Sequence, residues 1–379
     1  MNVARIDVLG FRNLAAQELE LGEGMTLLWG PNGAGKTNLL EALCAALAGH
    51  SCRTRNERET IAFGEPLARV EVEVERDGES HRFLWSLSRA GERRHLVDTK
   101  PVGHEQADLR PALAVFLPDR LALVKGPPGA RRDHLDRFAA ALWPGRAEAR
   151  RGYGRALAQR NALLGRVRGG AARPDSLDAW DRELADTGTE LIRVRREAVA
   201  ALSEEFHAAA AELGLAGDAE LRYLPRSDAG DPSRLAAELL DRRESDLARG
   251  HTTHGPHLDE LGISLGDRSL RRFGSQGEQR TALLALLFAE RRALLEARRA
   301  PPLMLLDDVM SELDPTRREL LARRLVEGGG QALLTATEAA QLPEVCPRAE
   351  LAVREGRATM RPRALVAEST EPVSAPVAA

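Results

Sequence analysis

The chain has 379 residues, 43% of them hydrophobic and 29% charged, with a formal net charge of −3. That length accommodates one large domain with an insertion, or two domains, while so small a net charge excludes a global pull on polyanions and leaves any nucleic-acid contact to local basic patches. Three scattered cysteines, Cys44, Cys52 and Cys346, argue against a disulfide framework or zinc site and for a reduced cytosolic compartment; no leader peptide is expected, and no apolar run approaches the ~20 residues that cross a bilayer.

Residues 2 to 9 alternate loosely, FRNL follows at 11 to 14, and the apolar run Met25 to Trp29 predicts a strand. It leads into GPNGAGKT (Gly30 to Thr37), a Walker A loop that opens a helix running from Lys36 to about Ala48 and ending at Gly49. Gly30, Gly33 and Gly35 let successive N–H groups face phosphates, and the helix points its positive end at the same charge. Lys36 is one of only three lysines, with Lys100 and Lys125, in a chain whose Lys+Arg count is 54. A compact ammonium fits beneath β and γ phosphates where a broad guanidinium does not. The Thr37 hydroxyl is the expected Mg²⁺ ligand.

Val70 to Glu75 alternates with period two, turns at Asp77 Gly78 and resumes at Arg82 to Trp85, predicting an antiparallel meander. From about 130 to 248 the text is Ala, Arg, Leu and Glu at helical spacing, broken at Trp143 Pro144 Gly145 and from Gly169 Gly170 to Pro174. The longest helix opens at Ser176 and runs to about Leu213, roughly 55 Å. Within it Leu177, Leu184, Leu191 and Ala198 share one heptad position and Trp180, Thr187, Val194 and Ala201 another, so a short coiled-coil-like arm and ordinary bundle packing both stand open.

FGSQGEQRTALLALLFAE (Phe273 to Glu290) then places Ser275 and Gly277 at a second helix N-terminus suited to phosphate. One γ phosphate does not need two such ends in one chain, so the economical reading is that Ser275 caps a nucleotide held by a second subunit. Leu303 to Leu306 is a buried strand closing on Asp307 and Asp308, the first suited to hold Mg²⁺, the second to orient the attacking water. SELD (Ser311 to Asp314) follows, and a further strand ends Leu333 Leu334 Thr335 Ala336 Thr337. His254 and His257 flank Gly255 Pro256, where structural histidines in a turn are favoured over a metal site. Arg131 Arg132, Arg150 Arg151, Arg193 to Arg196 and Arg242 Arg243 are candidate DNA-phosphate contacts, each weighed against a solvated helix face.

The set GPNGAGKTN, SQGEQRT and LLDDVMSELD resembles the ABC-type ATPase heads of the SMC/Rad50 group, and with FRNL, SCRTR (51 to 55), FLPDRLALVKGPPGARRDHLD (116 to 136) and THGPHLDEL (253 to 261) most closely the RecF family of bacterial recombination mediators. The resemblance implies an α/β fold, an ABC-type P-loop ATPase head of mixed sheet plus antiparallel meander with an inserted α-helical lobe or short coiled-coil-like arm. Its segments are expected at 1–125 (Walker A), 126–248 (helical lobe), 249–363 (signature, Walker B, D-loop) and 364–379 (disordered tail). Motif match implies ATP contacts from Arg12, Asn13, Gly30, Asn32, Gly33, Ala34, Gly35, Lys36, Thr37 and Asn38, metal contacts from Thr37 and Asp307, and catalytic roles for Asp308 and Lys36. Ser275, Gly277 and Asp314 would act in trans. It further implies an ATP-dependent homodimer on double-stranded DNA at gap junctions, weak DNA-stimulated ATP hydrolysis, and work with RecR and RecO in loading RecA, in the cytoplasm at the nucleoid. Three departures accompany it: SQGEQ puts Glu278 near a polyphosphate, Pro118 Asp119 occupies the neighbourhood of a Q-loop, and the strand ending at Thr335 to Thr337 has hydroxyls where many ABC ATPases place a histidine, which implies weak hydrolysis. An ABC transporter ATPase is disfavoured by the meander and the helical insert, a long-armed SMC protein by the shortness of that insert.

Overall fold

The computed structural model describes residues 1–54, 56–102, 109–117, 121–215, 217–343 and 348–361. Cys346, Pro118 Asp119 and the expected tail at 364–379 lie outside the described residues.

Two six-stranded sheets sandwich the Walker helix. The first is antiparallel and contains β1 (Asn2–Leu9), β2 (Gln17–Glu20), β4 (Leu67–Arg76), β5 (Glu79–Ser88), β6 (Arg93–Val97) and β7 (Lys100–Pro101), in the order β2-β1-β4-β5-β6-β7. Asp77 and Gly78 both take left-handed φ, +53° and +84°, which matches the twist of a two-residue hairpin joining β4 to β5. The second sheet contains β3 (Met25–Trp29), β8 (Leu113–Phe116), β12 (Leu303–Leu306), β13 (Ala332–Ala336), β14 (Arg348–Arg354) and β15 (Arg357–Met360), in the order β15-β14-β3-β13-β12-β8. All its pairings are parallel except β14 with β15. Its central strands are almost wholly apolar, with Thr26 and Thr335 the polar residues of β3 and β13, because both faces are covered. Leu28, Leu305 and Leu333 join the core shared with α1 (Lys36–Ala48) and the first sheet. Leu27, Leu306 and Leu334 join the core on the opposite face.

Helices α2 (Ala122–Lys125), α3 (Pro128–Leu142), α4 (Glu148–Arg168), α5 (Leu177–Glu212), α6 (Pro232–Asp241) and α7 (Arg243–Arg249) form the inserted lobe, and α8 (Leu270–Phe273), α9 (Gln276–Arg298) and α10 (Pro315–Glu327) belong to the second half of the head. The insert also holds a strand that helical spacing hid: β9 (Ala219–Leu224) pairs with β10 (Glu260–Leu265), which pairs with β11 (Arg268–Ser269). Six residues between long helices give periodicity little to register, although Ala219 and Leu221 point inward at period two.

α5 is the spine of the lobe. Its first half packs with Tyr153, Ala156, Leu235 and Leu239, its second with Phe138, Phe288 and the central sheet. Leu177, Leu184, Leu191 and Ala198 are buried, but of the second heptad series only Val194 is; Ala201 is exposed. The second line of contact falls four residues on, at Asp181, Gly188, Arg195 and Leu202. Two of these are charged and one is glycine, so a search for apolar residues passes over them. A Cβ at Gly188 would stand 3.0 Å from a methyl of Leu235 and 3.3 Å from the Tyr153 ring, so the glycine lets α4 and α6 close on α5. The buried charges are paired: Arg160 donates to Asp181 (2.6 Å) and Asp246 (2.7 Å), and Arg195 donates to both oxygens of Asp136 (2.7 and 2.9 Å) and to Asp259 (3.2 Å).

The first sheet touches α1 through His95, whose ring nitrogen meets the Ala46 carbonyl at 2.9 Å. Burial pushes this imidazole down to about 4, the Ala46 hydrogen bond opposing the shift. Its folded value lies below the ordinary 6.5 of an unfolded histidine, so its contribution to stability is complete above about pH 6.5 and declines as pH falls toward 4. A His95→Gln chain should therefore lose less stability between pH 7.5 and 5 than the parent in urea unfolding. Equal losses would show that the ring protonates without disturbing its packing.

Candidate nucleotide site

The Walker loop is held from three sides. Gly30, at φ +154°, lies so close to β14 that a Cβ would stand 2.1 Å from the Val353 carbonyl oxygen, and Gly35, at φ +112°, caps α1 in the left-handed region. The β14–β15 turn adds a hydrogen bond from Gly356 N–H to the Ala34 carbonyl (2.8 Å). Ala34 is buried, so of the expected contact set it supports the loop from behind.

Arg12, Asn13, Asn32, Gly33, Gly35, Lys36, Thr37, Asn38, Asp307 and Asp308 line one pocket of about 760 Å³, within the range of small-ligand sites. Lys36 Nζ donates to the Gly30 (2.7 Å) and Pro31 (3.0 Å) carbonyls, folded over the loop. Burial lowers its pKa while the Asp307 and Asp308 charges oppose the shift. The Thr37 hydroxyl meets both Asp307 oxygens (2.7 and 2.9 Å), and Thr335 donates to the same carboxylate (2.7 Å). Asp308 follows at φ +49°, its N–H donating to Thr335 Oγ1 (2.9 Å), with carboxylate oxygen Oδ1 buried and without a hydrogen-bond partner among the described residues. A hydroxyl and two adjacent carboxylates, one oxygen unsatisfied, form a hard-oxygen donor set that fits Mg²⁺.

Sequence reasoning missed the hub of this pocket. Glu41, on α1 and fully buried, accepts from Arg12 Nε (3.0 Å), Arg12 Nη2 (2.8 Å), Ser51 Oγ (2.6 Å) and Arg53 Nη1 (3.2 Å). It joins three segments that are separate in sequence, and it aims Arg12 and Arg53 along one wall. Asn38 extends the chain of bonds, accepting from Arg53 (2.8 Å) and donating to Asn13 (2.7 Å), which donates to the Gly33 carbonyl (2.8 Å). Removing one partner of a buried ionic network costs about 3–5 kcal/mol. Since glutamine keeps the volume and one acceptor, Glu41→Gln should lose roughly 2–4 kcal/mol in urea unfolding; a loss well below that would mean water serves the two arginines as well as the carboxylate does.

Arg89, Glu59, Ile61 and Phe63 complete the rim. Arg89 donates to the Glu65 (2.6 Å) and Ala62 (2.9 Å) carbonyls and so fixes the turn that carries the fully exposed Phe63. No local motif marks these residues; only SCRTR, beside them, stood out.

Ser275, Gly277 and Asp314 do not line the pocket. Ser275 caps α9 in a capping box: its hydroxyl accepts from Glu278 N–H (3.2 Å) while the Glu278 carboxylate accepts from Ser275 N–H (2.6 Å) and from Arg268 (2.6 Å). Glu278 is thus turned to its own helix end. Asp314 caps α10, accepting from Arg317 N–H (3.0 Å).

Most candidate phosphate contacts are engaged internally. Arg131 and Arg195 are buried on Glu260, and on Asp136 and Asp259, and Arg193 and Arg243 pair with carboxylates of α5. His254 meets Glu238 (2.7 Å) and His257 meets Tyr153 (2.7 Å) and the Thr252 carbonyl (3.0 Å). THGPHLDEL is therefore a structural junction.

The Walker loop between β3 and α1, the carboxylate pair closing β12 and the capped α9 on a mixed sheet define an ABC-type ATPase head. The family model for the RecF/RecN/SMC N terminal domain matches residues 2–357. The chain is 39% identical over 351 residues to the DNA replication and repair protein RecF of Anaeromyxobacter dehalogenans strain 2CP-C, covering 89% of this chain and 93% of the relative. It is 38% identical over 382 residues to RecF of Deinococcus deserti, covering 100% and 98%. A solved structure of the recombination mediator protein RecF with ATP superposes with a TM-score of 0.86 at 27% identity, over 95% of this chain and 98% of that one. The chain belongs to the RecF family.

Proposed function

We propose that this chain is an ATP-gated DNA-binding protein of recombinational repair and replication. Two copies join head to head across two ATP molecules, close on duplex DNA at gap junctions, and part when ATP is slowly hydrolysed. In that cycle it works with RecR and RecO in loading RecA. The observation that carries the reading is the separation of Ser275 from its own nucleotide pocket, which leaves each pocket a second phosphate-facing helix end short and leaves each α9 an exposed end to offer. The RecF structure solved with ATP supports the nucleotide.

Thr37 and Asp307 would hold Mg²⁺, which when bound neutralises charge on the β and γ phosphates. Lys36 binds the same oxygens, Arg12 and Arg53 are held by Glu41 for the rest of the nucleotide, and Asp308 orients water in line with the γ phosphate. Thr335, spent on Asp307, leaves no charged group at the end of β13, in keeping with slow turnover. Light scattering of the full chain with ATP and Mg²⁺, with ADP, and with gapped duplex tests the reading. Mass should double with ATP alone, and the dimer should bind the duplex; a monomer with every nucleotide overturns it.

A further inference from the structure

α4 and α5 lie side by side and carry opposite charge. α4 has six arginines against the single carboxylate Glu148, a net of +5, whereas α5 has four arginines against nine carboxylates, a net of −5. From Ala149 to Pro174 there is no acidic residue. Arginine-rich coding of the whole chain does not produce such a contrast between neighbours.

The charge is also placed. α4 buries Tyr153, Ala156, Arg160 and Leu164 against the lobe. At 100° per residue, Arg151, Arg155 and Arg166 fall within about 60° of the line opposite that seam, and all three are exposed. Between them the same face carries the small, exposed Ala158, Ala162 and Gly165. A solvated helix face would interleave long side chains of both signs. Here the backbone stands bare between guanidinium groups.

Helix electrostatics do not account for it. Arg166 and Arg168, in the last turn, suit the negative end of the helix, but Arg150 and Arg151 sit in the first turn where positive charge is unfavourable. Glu148 pairs with Arg151 (2.9 Å) and Arg155, which restrains two of the three exposed guanidinium groups at the patch's own edge. Arg166 and Arg168 make no ion pair among the described residues, and Arg168 lies 3.0 Å from the Cβ position of Gly250, next to the exposed Arg249, which carries the positive surface onto the end of α7.

We propose that the outer face of α4 is the surface that receives the sugar–phosphate backbone of duplex DNA, by charge and close approach and without base readout. This rests on the DNA-binding reading above and gives it an address. From Arg151 to Arg166 the helix rises about 22 Å, or roughly six phosphates of one strand at 3.4 Å each. Arginine suits such contacts because its planar fork can meet two phosphate oxygens at once.

The test is binding of the full chain, with ATP, to a fluorescent 30-base-pair duplex across a KCl series, for the parent and two variants. Arg151→Gln/Arg155→Gln/Arg166→Gln should make the plot of log K against log salt shallower by about 2.7, three contacts at about 0.9 each, while ATP-dependent mass doubling persists and reports an intact fold. Glu148→Gln should do the reverse, tightening binding. A triple variant with the parent's slope, or one weakened for single strands and unchanged for duplex, overturns the α4 surface and leaves the DNA-binding reading intact. A parent chain that binds no duplex overturns both.

Discussion

A Ser275→Arg chain is expected to bind ATP with the parent's affinity, remain a monomer with ATP and Mg²⁺, and lose at least about 100-fold in hydrolysis, the scale of removing a principal electrostatic donor. Affinity should hold because Ser275 does not line its own chain's pocket, where the phosphate loop, Lys36 and the Thr37–Asp307 pair remain in place. Association should fail because a long side chain at the first residue before α9 blocks the approach of a partner's γ phosphate. The substitution also removes a helix cap worth about 0.5–2 kcal/mol, so Ser275→Asp is the companion. Aspartate keeps the cap and sets a carboxylate against the phosphate, so it too should stay monomeric with full stability. Light scattering with either variant doubling in mass would break the shared-site account while sparing nucleotide binding.

The second large effect runs the other way. Asp308→Asn should leave ATP binding and dimerisation unimpaired and slow hydrolysis by about 10²–10⁴, the usual yield of a positioned general base, so that the dimer accumulates and no longer parts. Asparagine tolerates the left-handed φ of +49° at this position, and the N–H bond to Thr335 does not depend on the side chain, so the loop should keep its shape. What changes is the unsatisfied oxygen, which becomes part of an uncharged amide. Single-turnover hydrolysis separates the outcomes: a parent-like rate would remove Asp308 from the reaction.

The phosphate loop and the carboxylate pair lie where the sequence is most readable. A phosphate loop must be glycine-rich, must follow a strand and must open a helix, and a metal-binding carboxylate must close an apolar strand, so their chemistry is written in eight and six consecutive residues. The sheets were legible for a similar reason, from alternation in β4 and β5 and continuous apolar text in β3 and β12. Glu41 was not, because its four bonds come from residues 12, 51 and 53, and within its own helix it reads as an ordinary acidic position. The second contact line of α5 was hidden because Asp181 and Arg195 are buried as ion pairs, a solution that hydrophobic periodicity cannot register. The same pairing removes Arg131 and Arg195 from the surface that a count of basic residues offers to DNA, and holds the half-buried Arg243 against α5.

The strand that delivers the phosphate loop is flanked by β13 and β14, and the loop itself leans on Val353 and Gly356. On a ribosome the Walker sequence therefore emerges long before its neighbours exist. With roughly 300 residues still to add at about 5–20 per second, the apolar strand waits some 15–60 s without either flanking strand. Nascent and prematurely terminated chains should then carry an intact Walker sequence with no nucleotide site, and β3 is an apolar strand with unpaired edges for as long as synthesis lasts.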